Sequence, residues 1–88
     1  MSYAIVTKED EKSYKIRDFL IDRIKDEYDE VSPTKVITVG GDGTFLKSVH
    51  QYESQIDNIV FFIYNTGHLG YFSNYDDESL DALIEQVN

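Results

Sequence analysis

The sequence predicts an α/β domain built on a parallel sheet, on the strength of three observations. Short apolar runs rich in β-branched and aromatic residues recur at Tyr3 to Thr7, Lys35 to Val39 and Ile59 to Tyr64. The segments after each run carry apolar residues at every third or fourth position, the period of an amphipathic helix. The resulting order, β-α-β-α-β-α, is the one that parallel strands joined by helical crossovers produce. Ligands of such sheets bind beyond the carboxyl ends of the strands, so the turns leaving each strand are where function is expected.

Tyr3-Ala4-Ile5-Val6-Thr7 forms the first strand. From Glu9 to Tyr28, Ile16, Leu20, Ile24 and Tyr28 recur every four residues with Phe19 on the same face, which predicts a helix with one side on a core. Glu11 and Lys15 add an i,i+4 ion pair to it. Asp29 to Thr34 contains Pro33, the only proline, and is a connection with a stub of strand around Val31. Lys35 to Val39 is the second strand. A second helix is expected over Phe45 to Glu53, with Phe45, Val49 and Tyr52 inward. Ile59-Val60-Phe61-Phe62-Ile63-Tyr64 is apolar throughout, as suits a strand covered on both faces. Asn74 to Asp77 offers capping side chains, and Leu80, Leu83, Ile84 and Val87 define a third helix.

The stretch that organises the chain is Gly40-Gly41-Asp42-Gly43-Thr44, between the second strand and the second helix. Glycines let backbone approach a ligand closely, and the N–H groups at a helix start favour anions. Gly41, Gly43 and Thr44 are therefore candidates to hold a phosphate. An aspartate inside such a turn repels phosphate unless it has chemistry to do. Asp42 can orient a substrate hydroxyl for phosphoryl transfer, hold a divalent cation, or simply cap the second helix. A second glycine loop, Asn65-Thr66-Gly67-His68-Leu69-Gly70-Tyr71, follows the third strand. Asn65 and Thr66 are placed to donate hydrogen bonds at its start.

With 88 residues there is room for one small domain, near the lower end of what folds alone. The absence of cysteine excludes thiol catalysis and disulfides and fits a reducing, cytoplasmic setting. No apolar run approaches the roughly 20 residues that span a bilayer, and the start lacks a signal-peptide pattern. The formal net charge is −9, from 17 acidic against 8 basic residues. That balance argues against nucleic-acid and anionic-membrane partners, which need clustered lysine and arginine. A phosphorylated ligand would have to be held by backbone N–H groups, a divalent cation, or basic residues brought from elsewhere.

The two motifs, Gly40-Gly41-Asp42-Gly43-Thr44-Phe45-Leu46 and Asn65-Thr66-Gly67-His68-Leu69-Gly70-Tyr71, each after an apolar strand, resemble the N-terminal part of NAD kinases. The first is shared with diacylglycerol and sphingosine kinases and resembles one in phosphofructokinases; the second is far more specific. The resemblance implies a three-layer Rossmann-like domain, 1–88, as an incomplete N-terminal portion of a two-domain kinase. It implies phosphoryl transfer from ATP or polyphosphate, with Mg²⁺ or another divalent cation, to the 2′-hydroxyl of the adenosine ribose of NAD, giving NADP. Asp42 matches the family's proton acceptor, Gly43 a position whose backbone lies against the dinucleotide, and Lys47 a place where a basic residue reaches the ligand. Leu69 and Tyr71 match positions that wall the dinucleotide site. The family's asparagine-glutamate pair and glycine- and threonine-rich stretch, borne by a β-rich second domain, have no counterpart here. Family members form homo-oligomers in which subunits share sites, so little activity is expected of this stretch in isolation.

Two other readings compete. A receiver-type phosphoacceptor module would use an aspartate at a strand end with an acidic pair after the first strand, where Glu9 and Asp10 stand. A non-catalytic remnant would bind nucleotide without turnover. His68 is expected to fix its loop, and His50 to be solvated.

Overall fold

The computed structural model describes residues 1–66 and 77–88. Four strands form one all-parallel sheet in the order β2-β1-β3-β4: β1 (Ser2–Thr7), β2 (Glu27–Tyr28), β3 (Lys35–Gly40) and β4 (Val60–Asn65). Helices α1 (Glu11–Arg23) and α3 (Asp77–Val87) cover one face, and α2 (Asp42–Gln51) with the following 3₁₀ segment Glu53–Asn58 covers the other. This is the three-layer α/β arrangement expected from the alternation of periods.

The alternation of side chains along each strand sorts them into two cores. Tyr3, Ile5, Ile37 and Val39 face α1 and α3, where they meet Ile16, Leu20, Ile24, Leu80, Leu83 and Val87. Ala4, Val6 and Val36 face the other way, against Tyr52, Ile59 and half-buried Phe61. Each fully buried aliphatic side chain in these layers contributes about 1.5–3 kcal/mol relative to exposure.

α1 starts two residues after the expected Glu9: Asp10 is its N-cap, accepting from the Ser13 N–H at 2.8 Å, and Glu11 pairs with Lys15 at 3.4 Å. It ends five residues earlier than the Ile16, Leu20, Ile24, Tyr28 spacing predicts. Ile24 leaves the helix with extended backbone, and Tyr28 belongs to β2, its ring edge-on to that of Tyr3 at 5.2 Å. The stub of strand expected around Val31 therefore lies at Glu27–Tyr28. Val31 itself is exposed in a turn closed by Asp29, whose carboxylate accepts from the Val31 and Ser32 N–H groups at 2.9 and 3.1 Å.

β4 departs from expectation in another way. Its run of apolar residues was expected to be covered on both faces, yet Val60 is 58% and Ile63 51% exposed. β4 is an edge strand among the described residues, and α2 lies mainly over β3 and β1. Of the capping stretch expected from Asn74 to Asp77, residues 74–76 lie outside the described residues, and Asp77 is the first residue of α3.

At the rim where β3 begins, Lys35 closes the fold. Its ammonium pairs with the Asp26 carboxylate at 2.9 Å and donates to the Val87 carbonyl at the end of α3. The Lys25 N–H donates to the Asn88 side chain at 3.0 Å beside it. The hydrogen bond from Lys35 holds the Asp26 carboxyl below its ordinary value. A depressed folded-state value means that this contribution is complete above the unfolded carboxyl range, about pH 4, and is lost as pH falls through the lower folded value. Thermal melts from pH 7 to pH 2 should therefore show the parent chain more stable than Asp26→Asn at neutral pH, with the difference shrinking below pH 4.

Candidate functional site

Three strand ends meet at the opposite rim. The Lys8 N–H donates to the Val39 carbonyl at 2.8 Å and the Thr66 N–H to the Gly40 carbonyl at 2.9 Å, so the residues after β1, β3 and β4 stand side by side. Gly40 pairs with Asn65 in the sheet register. The glycine turn and the start of the second loop thus occupy one rim, as the parallel order requires. Gly67, His68, Leu69, Gly70 and Tyr71 lie outside the described residues.

The turn is tighter than the motif suggests. Helix α2 begins at Asp42 instead of Phe45, with Gly41 as its N-cap and the Phe45 N–H donating to the Gly41 carbonyl at 3.0 Å. Asp42, Gly43 and Thr44 therefore form the first turn of the helix, whose N–H groups have no partner within the helix. Asp42 does not serve as the side-chain cap, since Gly41 holds that position and no side-chain cap hydrogen bond is made. Its carboxylate is on an exposed residue of the rim, where a first-turn acid also complements the helix dipole.

Beneath the turn, α2 is pinned to β3 by hydroxyl groups. Ser48 is fully buried, donates to the Phe45 carbonyl at 2.7 Å and lies 2.9 Å from the Thr38 hydroxyl. Phe45 packs edge-on against Phe61 of β4, with ring centroids 6.0 Å apart. Val49 is half-buried and Tyr52, just past the helix, is buried, while His50 is exposed.

An open cavity of about 510 Å³ lies between the end of β1 and the start of α2, lined by Thr7, Lys8, Glu9, Gly41, Gly43, Thr44 and Lys47. Of the candidate residues, Gly41, Gly43, Thr44 and Lys47 are brought together there; Asp42 is in the same turn without lining the cavity, and Asn65 and Thr66 stand one strand away. Thr7 and Lys8 were not singled out from the sequence, and Glu9 only as one of an acidic pair, because only the pairing of β1 with β3 sets them opposite the glycine turn. Lys8 is half-exposed and 4.0 Å from Asp10. Lys8 and Lys47 bring two cations to a rim that also carries the Glu9 and Asp42 carboxylates, and the helix N–H groups add a positive field. Asp10, the second member of the acidic pair a receiver module would need, is committed to capping α1.

Among the described residues no group of three or more His, Asp or Glu is placed to hold a metal ion, and no helix is long and apolar enough to cross a membrane.

The two glycines differ in what they tolerate. Gly40 has φ +155°, and a Cβ there would sit 2.6 Å from the Thr44 hydroxyl and 3.1 Å from the Lys8 Cβ. Gly43 has nothing within 4 Å of that position. In denaturant unfolding, Gly40→Ala should lower stability by about 1–3 kcal/mol, whereas Gly43→Ala should be neutral or stabilising by about 0.5–1 kcal/mol as a helical substitution. Ser48→Ala, which strips the buried Thr38 hydroxyl of its partner, should cost about 1–3 kcal/mol by the same measurement.

No family model matches the chain. Curated proteins do. NAD kinase 1 of Listeria innocua is 43% identical over 97% of this chain and 33% of its own length. NAD kinase of Lactococcus lactis subsp. cremoris is 40% identical over 94% of the chain and 32% of its own length, and that of Staphylococcus haemolyticus is 37% identical over all of the chain and 34% of its own length. The chain spans about a third of the length of the curated relatives it matches. With its parallel α/β fold and glycine turn, it corresponds to an N-terminal portion of proteins of the NAD kinase family.

Proposed function

We propose that this chain is the catalytic-rim portion of an NAD kinase, the enzyme that transfers a phosphoryl group to the 2′-hydroxyl of the adenosine ribose of NAD to give NADP. The observation that carries the reading is the match of nearly the whole chain to proteins named NAD kinase at 37–43% identity. The geometry supports it with an exposed carboxylate on a phosphate-friendly turn beside an open, lysine-flanked cavity.

In this reading Asp42 accepts a hydrogen bond from the ribose 2′-hydroxyl and aims its oxygen at the terminal phosphorus of ATP or polyphosphate. The new O–P bond forms as the bridging P–O bond of the donor breaks, and the hydroxyl proton passes to the Asp42 carboxylate and then to solvent. The transition state of phosphoryl transfer is loose, so orientation matters more than early proton removal. The first-turn N–H groups of α2, with Thr44 and Lys47, hold phosphate oxygens. Asn65 and Thr66 bond the dinucleotide from the neighbouring strand end, and Leu69 and Tyr71 wall it. Mg²⁺ or another divalent cation would arrive with the donor and neutralise its phosphates. Gly43 keeps its Cβ position open for close approach of the dinucleotide, since its own fold does not require a glycine.

The rest of the site belongs to a β-rich second domain, and the working enzyme is a cytoplasmic homo-oligomer with subunits sharing sites. The stretch 1–88 is one α/β domain of it, with little or no turnover alone.

In the longer protein, Asp42→Asn should lower kcat by about 10²–10⁴-fold while the Kd for NAD, measured by calorimetry, stays within a few fold. A near-normal kcat would remove Asp42 from this role. Loss of NAD binding together with activity would assign the carboxylate to the binding site instead of the chemistry.

A further inference from the structure

The two edges of the sheet are built on opposite plans. β2 is two residues long and sits among Asp26, Glu27, Asp29 and Glu30, so one edge is short and charged, the usual protection against pairing with another chain. β4 is six residues long, and from Ile59 to Thr66 the chain has no charge, proline or glycine. Among the described residues neither charge nor proline blunts that edge.

Backbone direction sharpens the contrast. The Val60 N–H donates to the Thr34 carbonyl and the Thr66 N–H to the Gly40 carbonyl, so the even-numbered amides of β4 face β3. By the period of two, the Phe61 and Ile63 amides face away from the sheet. Ile63 is 51% and Val60 58% exposed on opposite faces of the same edge, and Leu46 of α2 is 59% exposed. A parallel sheet is normally buried on both faces, and among the described residues β4 is the long strand that is not.

We infer that the outer edge of β4 is the seat of a further strand supplied by the remainder of the longer protein, which adds to the sheet beside β4 and covers Val60 and Ile63. Relatives are about three times the length of this chain, so two thirds of such a molecule must join this third somewhere, and among the described residues this is the apolar edge. A second copy of the same chain is the weaker occupant, because each copy carries a net charge of −9 and like charges oppose association. The inference rests on the chain being one portion of a longer protein and is independent of the reaction assigned to it.

Hydrogen exchange read residue by residue tests it, comparing the 88-residue chain with the same chain joined to the remaining two thirds of a relative. The Phe61 and Ile63 amides should exchange at least tenfold more slowly in the joined protein, with the amides of β2 unchanged. Ile63→Lys should lower the melting temperature of the joined protein and leave that of the 88-residue chain unaltered. Equal exchange in the two proteins would overturn the inference. So would protection of both amides in the 88-residue chain alone together with concentration-dependent dimers in sedimentation, which would assign the edge to a second copy. No substrate is present in the exchange experiment, so an inactive protein with a protected β4 would count against the kinase reading and leave this one standing.

Discussion

Everything at the candidate site depends on β3 having no free side. It is hydrogen-bonded to β1 on one edge and β4 on the other, and Val36, Ile37, Thr38 and Val39 are completely buried between the two helical layers. A strand so enclosed cannot slip, because a shift of one residue would exchange the two cores. Its carboxyl end therefore arrives at a fixed place, and Gly40 hands the chain directly into α2. Its fully buried polar side chain, Thr38, is satisfied by Ser48, which ties the helix bearing Asp42 to the strand that delivers it. A catalytic carboxylate on a turn is only as well placed as the elements on either side, and here both are anchored.

The charge at the rim is more evenly mixed than that of the molecule. A chain with more than twice as many acidic as basic residues sets two lysines, one glutamate and a helix start around one cavity. The acidic surface elsewhere costs little, since solvated charges at a distance are screened, while the local arrangement decides what the cavity holds. The two neighbouring glycines divide the work: Gly40 is needed by the fold, where Thr44 and Lys8 crowd it, and Gly43 leaves room on the outside.

Much of this was legible in the chain. β1, β3 and α3 follow from β-branched runs and from the Leu80, Leu83, Val87 spacing, because local preference and final burial agree there. Where they disagree the sequence misleads. Tyr28 continues the helical period of α1, yet its ring finds Tyr3 and the following Asp29 N–H finds the Tyr3 carbonyl at 2.8 Å, and these long-range partners outweigh one more helical turn. Gly43 hides the first turn of α2, since glycine argues against helix on propensity alone. The contribution of Thr7, Lys8 and Glu9 to the cavity has no local signature, being a product of strand pairing. The all-apolar run of β4 reads as a strand covered on both faces, yet among the described residues it is an edge strand with Val60 and Ile63 exposed.

The Lys35 junction gives the two ends of β3 different work. By fastening the carboxyl end of α3 to the first residue of β3, it closes the sheet at the end away from the cavity. About 20 Å further along the same strand the chain opens into the glycine turn, so the clamp that steadies the domain stands well clear of the groups that would meet a phosphate.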